Sequence, residues 1–187
     1  MATRFKEDLI WGEEQYVIRV QNSTGIADRF FQKAQESLKE IEFPNIDSDI
    51  SEFKTGGWIF NKEITRMLSI NPTKSAFKEL GLYLRAQPFG NLVVFSKYDT
   101  VEKDFWDKIT STSVSEKTYQ ISARCKNLAQ KEEFTSLLHL GDEIFADAIC
   151  VVDPDQDIKK LKAGFAEKRG MASKSNSIAS KVMNLIS

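Results

Sequence analysis

Residues 80–98 show the clearest alternation of apolar and polar positions in the chain, on both sides of the segment Pro88-Phe89-Gly90-Asn91. A period of two predicts β-strands, and Pro, Gly and Asn are residues of tight turns. We therefore predict a β-hairpin, and both of its faces carry apolar side chains, which places it at the centre of a sheet. Phe89, at the tip, is a candidate contact for a protein partner; the alternative is an ordinary hairpin residue.

Two longer segments repeat apolar residues at helical spacing. Residues 26–41 form one stripe, with capping side chains at 22–24 and Pro44 as a stop. Residues 116–152 form the other, through Phe134, Leu137, Leu138, Gly141, Phe145, Ala148, Ile149 and Val152. Gly141 indicates close packing or a kink, and alternation within 117–123 leaves a short strand there as an alternative.

Shorter patterns complete the fold prediction. Residues 15–20, 50–54, 58–61 and 64–70 are predicted to be extended, and Gly56-Gly57 is a turn rather than a phosphate-binding loop, because the spacing of that motif is missing. Asp99 and Thr100 are expected to cap a short helix that contains Val101, Phe105, Trp106 and Ile109.

Together these patterns predict an α+β protein with one domain at residues 1–162 and a basic tail at 163–187. Its mainly antiparallel sheet is packed by an N-terminal helix and by a long helix in the C-terminal half.

Composition and charge narrow the possible environments. The 187 residues are 41% hydrophobic and 28% charged, without the roughly 18 consecutive apolar residues of a membrane span. The N-terminus lacks a continuous apolar signal segment, so a cytoplasmic location is expected. Residues 159–187 hold seven basic side chains and one acidic one, which leaves −7 on the rest of the chain. An acidic body makes nucleic acid an unlikely partner.

The tail contains a short apolar stripe formed by Ile178, Val182, Leu185 and Ile186. A helix of this length is marginal in water by itself. We therefore expect it to dock on its own domain, on another subunit or on an anionic membrane surface, which would make the protein membrane-peripheral. These four residues join Phe89 as candidate partner contacts.

No arrangement of side chains indicates a cofactor, a metal or a specific reaction. His139 is the single histidine, and Cys125 and Cys150 lack metal-ligand spacing, so they are expected to be buried thiols rather than a disulfide. The acidic run from Asp153 to Asp157 fits a helix N-terminus, with Asp153 as the cap, better than a calcium loop.

The chain also resembles a group of uncharacterised bacterial proteins. The resemblance follows the order Phe43-Pro44-Asn45-Ile46, Gly56-Gly57, Arg66 to Ile70, Ala86 to Leu92, Thr118-Tyr119-Gln120 and a helix with Phe145. It covers about residues 40–153, and its most specific piece is the Pro88-Phe89-Gly90-Asn91 hairpin. It implies no catalytic residue, because no activity is assigned to the group.

The function expected from the sequence is a non-enzymatic protein-binding or assembly module of a bacterial-type soluble protein, acting on a protein partner or by self-association. One alternative is the membrane-peripheral protein anchored by its tail. The other is an enzyme of unknown class that uses carboxylates such as Asp142, Glu143 and Asp147.

Overall fold

A computed structural model describes residues 2–55, 63–73, 80–101 and 113–169. The strands are β1 Thr3–Arg4, β2 Ile10–Arg19, β3 Ile46–Thr55, β4 Glu63–Pro72, β5 Gly81–Phe89 and β6 Leu92–Thr100. The helices are α1 Ile26–Ile41, α2 Val114–Ala123, α3 Leu128–Val152 and α4 Ile158–Lys168, with a 3-10 turn at Glu7–Leu9. These elements form the expected α+β fold.

The six strands form one sheet in the order β1-β3-β4-β5-β6-β2. Only the short β1–β3 pair is parallel, and the other pairs are antiparallel. The predicted hairpin is confirmed as β5 and β6, and both strands lie inside the sheet. Its turn joins Phe89 to Leu92, and Gly90 adopts a φ of 61° that is accessible to glycine and fits a tight hairpin turn.

Helix α1 has the limits that its apolar spacing predicts. Its buried stripe includes Phe30 and Ala34, both 0% exposed. The expected side-chain cap is wrong: Gly25 is the N-cap, with a φ of 73°, and no side chain caps the helix. Asn22 instead accepts a hydrogen bond from the Thr24 N–H, so it stabilises the turn before the helix.

Helix α3 crosses the sheet and confirms the close packing indicated by Gly141. A Cβ atom at Gly141 would lie 2.9 Å from Leu82 Cδ1, so a larger residue would push against the core of β5. The alternative strand at 117–123 is wrong, because this segment is helix α2. The predicted helical stretch over 116–152 is divided, because α2 ends at Ala123 and α3 begins at Leu128. Ser113 Oγ caps α2 by accepting a hydrogen bond from the Glu116 N–H.

Several boundaries differ from the sequence-based expectations. Strand β2 begins at Ile10 rather than residue 15, and β3 begins at Ile46 rather than residue 50. Asp99 and Thr100 form the end of strand β6, and the helix that they are expected to cap lies outside the described residues. The cap of α4 is Asp157 rather than Asp153, and α4 continues past position 163 to Lys168.

Some predicted features lie outside the described residues. They are the Gly56-Gly57 turn, the segment 58–61, the helix expected over 102–109, and the tail stripe of Ile178, Val182, Leu185 and Ile186. Among the helices that the structure describes, none combines the length and the apolar character that crossing a membrane requires.

The two faces of the sheet are covered differently. On one face, α1 and α3 pack over the main core. On the other face, the N-terminal segment places Phe5 against Phe53, Tyr83 and Tyr98, with ring centroids 4.9 to 6.1 Å apart. Among the described residues, this aromatic cluster lies at the end of the outer face away from the β5–β6 turn, where Tyr83 is opposite Tyr98.

Candidate functional site

The uncovered end of the outer face carries an apolar surface, which we call the hairpin patch: Val17, Phe89, Leu92 and Val94. The strand register places Val17 opposite Val94 and Phe89 opposite Leu92. Ile18 and Val93, which are adjacent in sequence to patch residues, are buried in the main core, and so is Ala86, three positions before Phe89 in β5. Alternation therefore directs the patch residues to the other face. Three strands thus bring four apolar side chains together beside the turn.

The hairpin patch is open to solvent, unlike the aromatic cluster on the same face. Phe89 is 57% exposed and Val17 is 52% exposed, whereas Tyr98 is 8% exposed. Single exposed apolar residues are common on protein surfaces, but adjacent ones form a surface that can hold a partner. The candidate contact Phe89 therefore belongs to a larger surface than its own side chain.

A second feature lies between the sheet and the helices: a charge cluster formed by Lys97, Asp99, Asp142 and Arg169. All four residues are buried, and Lys97 and Asp99 are 0% exposed. Lys97 and Asp99 come from β6, Asp142 comes from α3, and Arg169 directly follows α4. Two cations and two carboxylates give the cluster a net charge of zero, as burial requires.

Short contacts link all four charges. Arg169 Nη2 donates to Asp99 Oδ2 at 2.8 Å, and Arg169 Nη1 donates to Asp142 Oδ2 at 3.1 Å. Lys97 Nζ donates to Asp99 Oδ2 at 3.2 Å and lies 2.9 Å from Asp142 Oδ1. Asp142 Oδ1 makes no well-aligned hydrogen bond with the residues that the structure describes, but its charge is compensated because both Lys97 Nζ and Arg169 Nη2 lie within 3.0 Å.

The cluster explains the glycine at position 12 of β2. Gly12 lies opposite Asp99, and a Cβ atom there would lie 2.6 Å from Asp99 Oδ2. The next inward residue of β2, Glu14, is also buried and pairs with Lys168 of α4. Strand β2, strand β6 and the end of α4 are therefore joined by ionic contacts.

A groove of about 660 Å³ runs between α2 and α3 and reaches the charge cluster. Phe134 and Leu138 supply apolar lining, Thr118 and His139 supply polar groups, and Arg169 lines the groove as well. The Nε–H of Arg169 has no hydrogen-bond partner in the part of the chain that the structure describes. The groove thus combines an apolar lining with a buried cation.

Asp142, Glu143 and Asp147, the candidate carboxylates of an enzyme, take part in two separate groups of ion pairs. Asp142 is held in the charge cluster, whereas Glu143 and Asp147 form ion pairs with Lys162 at 2.9 and 3.3 Å. Ser37 Oγ of α1 also donates to Asp147. These contacts tie α4 and α1 to α3, and they do not bring the three carboxylates to one cavity.

Other titratable groups near α3 are held in their neutral or paired forms. Partial burial raises the pKa of Cys125 and of Cys150. Both thiols are free, but both are half-buried rather than buried as expected. Burial, followed by a hydrogen bond to Asp153, raises the pKa of Tyr16 well above its ordinary value. The Lys162 ion pairs outweigh desolvation and raise the pKa of Lys162.

The sequence predicts Phe89 as a partner contact, but it predicts neither the other three residues of the hairpin patch nor the charge cluster. In the sequence, Asp99 shows only the pattern of a helix cap, and Arg169 is one of several basic residues of the tail. His139 lies on the groove, and no group of three or more potential metal ligands comes together within residues 2–55, 63–73, 80–101 and 113–169.

Comparison of the chain with protein-family models, with curated proteins and with solved structures finds no match.

Proposed function

We propose that this protein is a non-enzymatic binding module that holds a protein partner on its hairpin patch. The observation that supports the proposal is the exposure of Phe89 beside Val17, Leu92 and Val94 on one face of three paired strands. The β-strands hold these side chains in a fixed arrangement, so binding requires little ordering of the surface.

The chemistry of the patch favours a protein partner with a complementary apolar surface. Fully burying a side chain such as phenylalanine contributes about 1.5 to 3 kcal/mol, and Phe89 still exposes about half of its surface. Its burial alone would contribute about 1 kcal/mol. Arg19 lies opposite Leu92 at the border, which gives the patch a polar rim typical of interfaces.

The test is a comparison of the proteins captured by three forms of the full chain from a lysate of its native organism. The wild type and Leu128→Asp should capture the same partner, because Leu128 is even more exposed than Phe89, at 69%, but lies at the start of α3. Phe89→Asp should lose that partner. Equal capture by Phe89→Asp and the wild type would reject the hairpin patch as the binding surface.

Binding of a small molecule in the groove between α2 and α3 is a second candidate function. It is favoured by the Arg169 Nε–H, which has no hydrogen-bond partner among the described residues, because a buried donor is stabilised by an acceptor on a ligand. The class of ligand that fits the groove is an apolar molecule with one anionic or acceptor group.

The fluorescent probe anilinonaphthalene sulfonate tests this site. It should bind the folded wild type, and Thr135→Trp should weaken that binding because the larger side chain occupies the groove. Equal binding by the two proteins would reject this site.

A further inference from the structure

Strand β2 forms one edge of the sheet, and among the described residues it pairs only with β6. Just beyond β2, the Val20 N–H donates to the Asn91 carbonyl at 2.8 Å, which continues the β2–β6 register. Successive residues of a strand direct their backbone groups to opposite sides. The residues whose N–H and C=O groups point away from β6 are therefore Glu13, Gln15, Val17 and Arg19.

The side chains along this edge are self-complementary. Glu13 and Arg19 are both exposed, carry opposite charges and lie on the outer face of the sheet. If two copies of β2 align antiparallel with Tyr16 at the two-fold axis, Glu13 of each copy lies opposite Arg19 of the other. The same register places Gln15 opposite Val17, so all the residues with outward backbone groups face one another.

The opposite edge of the sheet lacks this property. Strand β1 pairs with β3 only at Phe53 and Lys54. Residues 46–52 of β3 carry three carboxylates, Asp47, Asp49 and Glu52, and no cation. Like charges along an edge repel a second copy, which is one way proteins prevent edge pairing.

We propose that two copies of this chain associate through β2 to form a continuous sheet. The antiparallel register with Tyr16 at the two-fold axis forms about eight backbone hydrogen bonds between the strands. It adds two cross-strand ion pairs between Glu13 and Arg19. The paired edge then exposes none of the backbone groups that β2 presents in the monomer.

The proposal goes beyond partner binding on the hairpin patch and does not depend on it. The two-fold axis of antiparallel edge strands is perpendicular to the sheet, so both outer faces lie on the same side of the dimer. Each dimer then carries two hairpin patches facing one direction. A partner with two matching sites would bind both patches with increased avidity.

Sedimentation velocity of the full chain at low salt tests the dimer across the micromolar range. The wild type should sediment as a dimer at high concentration. Arg19→Glu and Glu13→Arg should each raise the dimer dissociation constant about tenfold or more, because each places like charges opposite one another twice. The combined Glu13→Arg and Arg19→Glu variant should restore dimerisation, since the two charges are exchanged.

Two further variants separate the edge from other surfaces. Glu52→Arg, on the β3 edge, should leave the dissociation constant unchanged. Val17→Pro should abolish the dimer, because it removes a backbone donor on the free side of β2 and leaves the β6 side intact.

A wild type that remains a monomer at every concentration would overturn the proposal. So would a dimer that persists equally in the two single charge reversals, because its interface would then lie elsewhere. Phe89→Asp should still dimerise, so loss of partner capture and loss of the dimer can be told apart.

Discussion

Arg169→Met is expected to destabilise the fold strongly, although the new side chain is apolar and nearly as long as arginine. Arg169 is 2% exposed and is one of only two cations in the charge cluster. Its removal leaves Lys97 alone with two buried carboxylates, Asp99 and Asp142. The cluster then holds a net negative charge that is shielded from water, and burying an uncompensated charge is costly.

The size of the effect follows from the contacts. Arg169 Nη2 lies 2.8 Å from Asp99 Oδ2 and 3.0 Å from Asp142 Oδ1. Two unit charges about 4 Å apart interact by about 4 kcal/mol at an effective dielectric constant of about 20. Removing one partner of a buried ion pair costs about 3 to 5 kcal/mol, since the remaining charge stays desolvated. We therefore expect a loss of about 3 to 5 kcal/mol in the free energy of unfolding.

Urea unfolding followed by far-ultraviolet circular dichroism measures this loss. The variant Asp99→Asn combined with Arg169→Met leaves one lysine and one aspartate, so the cluster is neutral again. Its cost should be smaller than the sum of the two single costs by about 2 kcal/mol. The control Lys159→Met replaces an exposed cation of α4 and should change stability by less than about 0.5 kcal/mol.

Additive costs in this double-mutant cycle would refute the reasoning, because independent residues do not compensate one another. A cost of less than about 1 kcal/mol for Arg169→Met would refute it as well, since surface ion pairs have that magnitude. If Arg169→Met fails to fold, Arg169→Lys preserves the charge but loses the two-pronged contact with Asp142. It should remain folded with a measurable, smaller loss.

Three further predictions concern other parts of the fold. Gly12→Ala should lower the free energy of unfolding by about 2 kcal/mol in urea titrations, because its Cβ would lie 2.6 Å from Asp99 Oδ2; an unchanged midpoint would contradict the close approach. Gly90→Ala should cost about 1 kcal/mol in the same assay, because Gly90 has a φ of 61°; a gain in stability would contradict this turn geometry. Above about pH 10 the unfolded chain loses the proton of Tyr16 while the raised pKa retains it in the folded protein, so stability should fall as pH rises. Tyr16→Phe should show a smaller fall in the urea midpoint between about pH 8 and about pH 11, and an equal fall would contradict the role of Tyr16.

The parts of the fold with a regular period were the most predictable from sequence. Helix α1 and the β5–β6 hairpin follow their apolar spacing, because each buries one face against the core. The first half of β2 is not predicted from the sequence, because the adjacent carboxylates Glu13 and Glu14 interrupt the alternation of apolar and polar positions. Glu14 is buried only because Lys168, far along the chain, lies beside it.

The candidate sites were predictable only where they depend on neighbouring residues. Phe89 follows from the hairpin turn. Its place in one patch with Val17 depends on the pairing of β2 with β6, which alternation does not specify. Asp99 resembled a helix cap, because sequence spacing does not reveal that Arg169, 70 positions later, neutralises it.

The position of Arg169 also sets an order for the synthesis of the protein. On the ribosome, Asp99 is made 70 residues and Asp142 27 residues before the arginine that neutralises them. Until then, Lys97 faces two carboxylates, Asp99 and Asp142, and the net negative charge of the three favours contact with water over burial. Arg169, directly after α4, thus completes the charge cluster. We expect a nascent chain that stops before residue 169 to be more sensitive to proteases than the full chain.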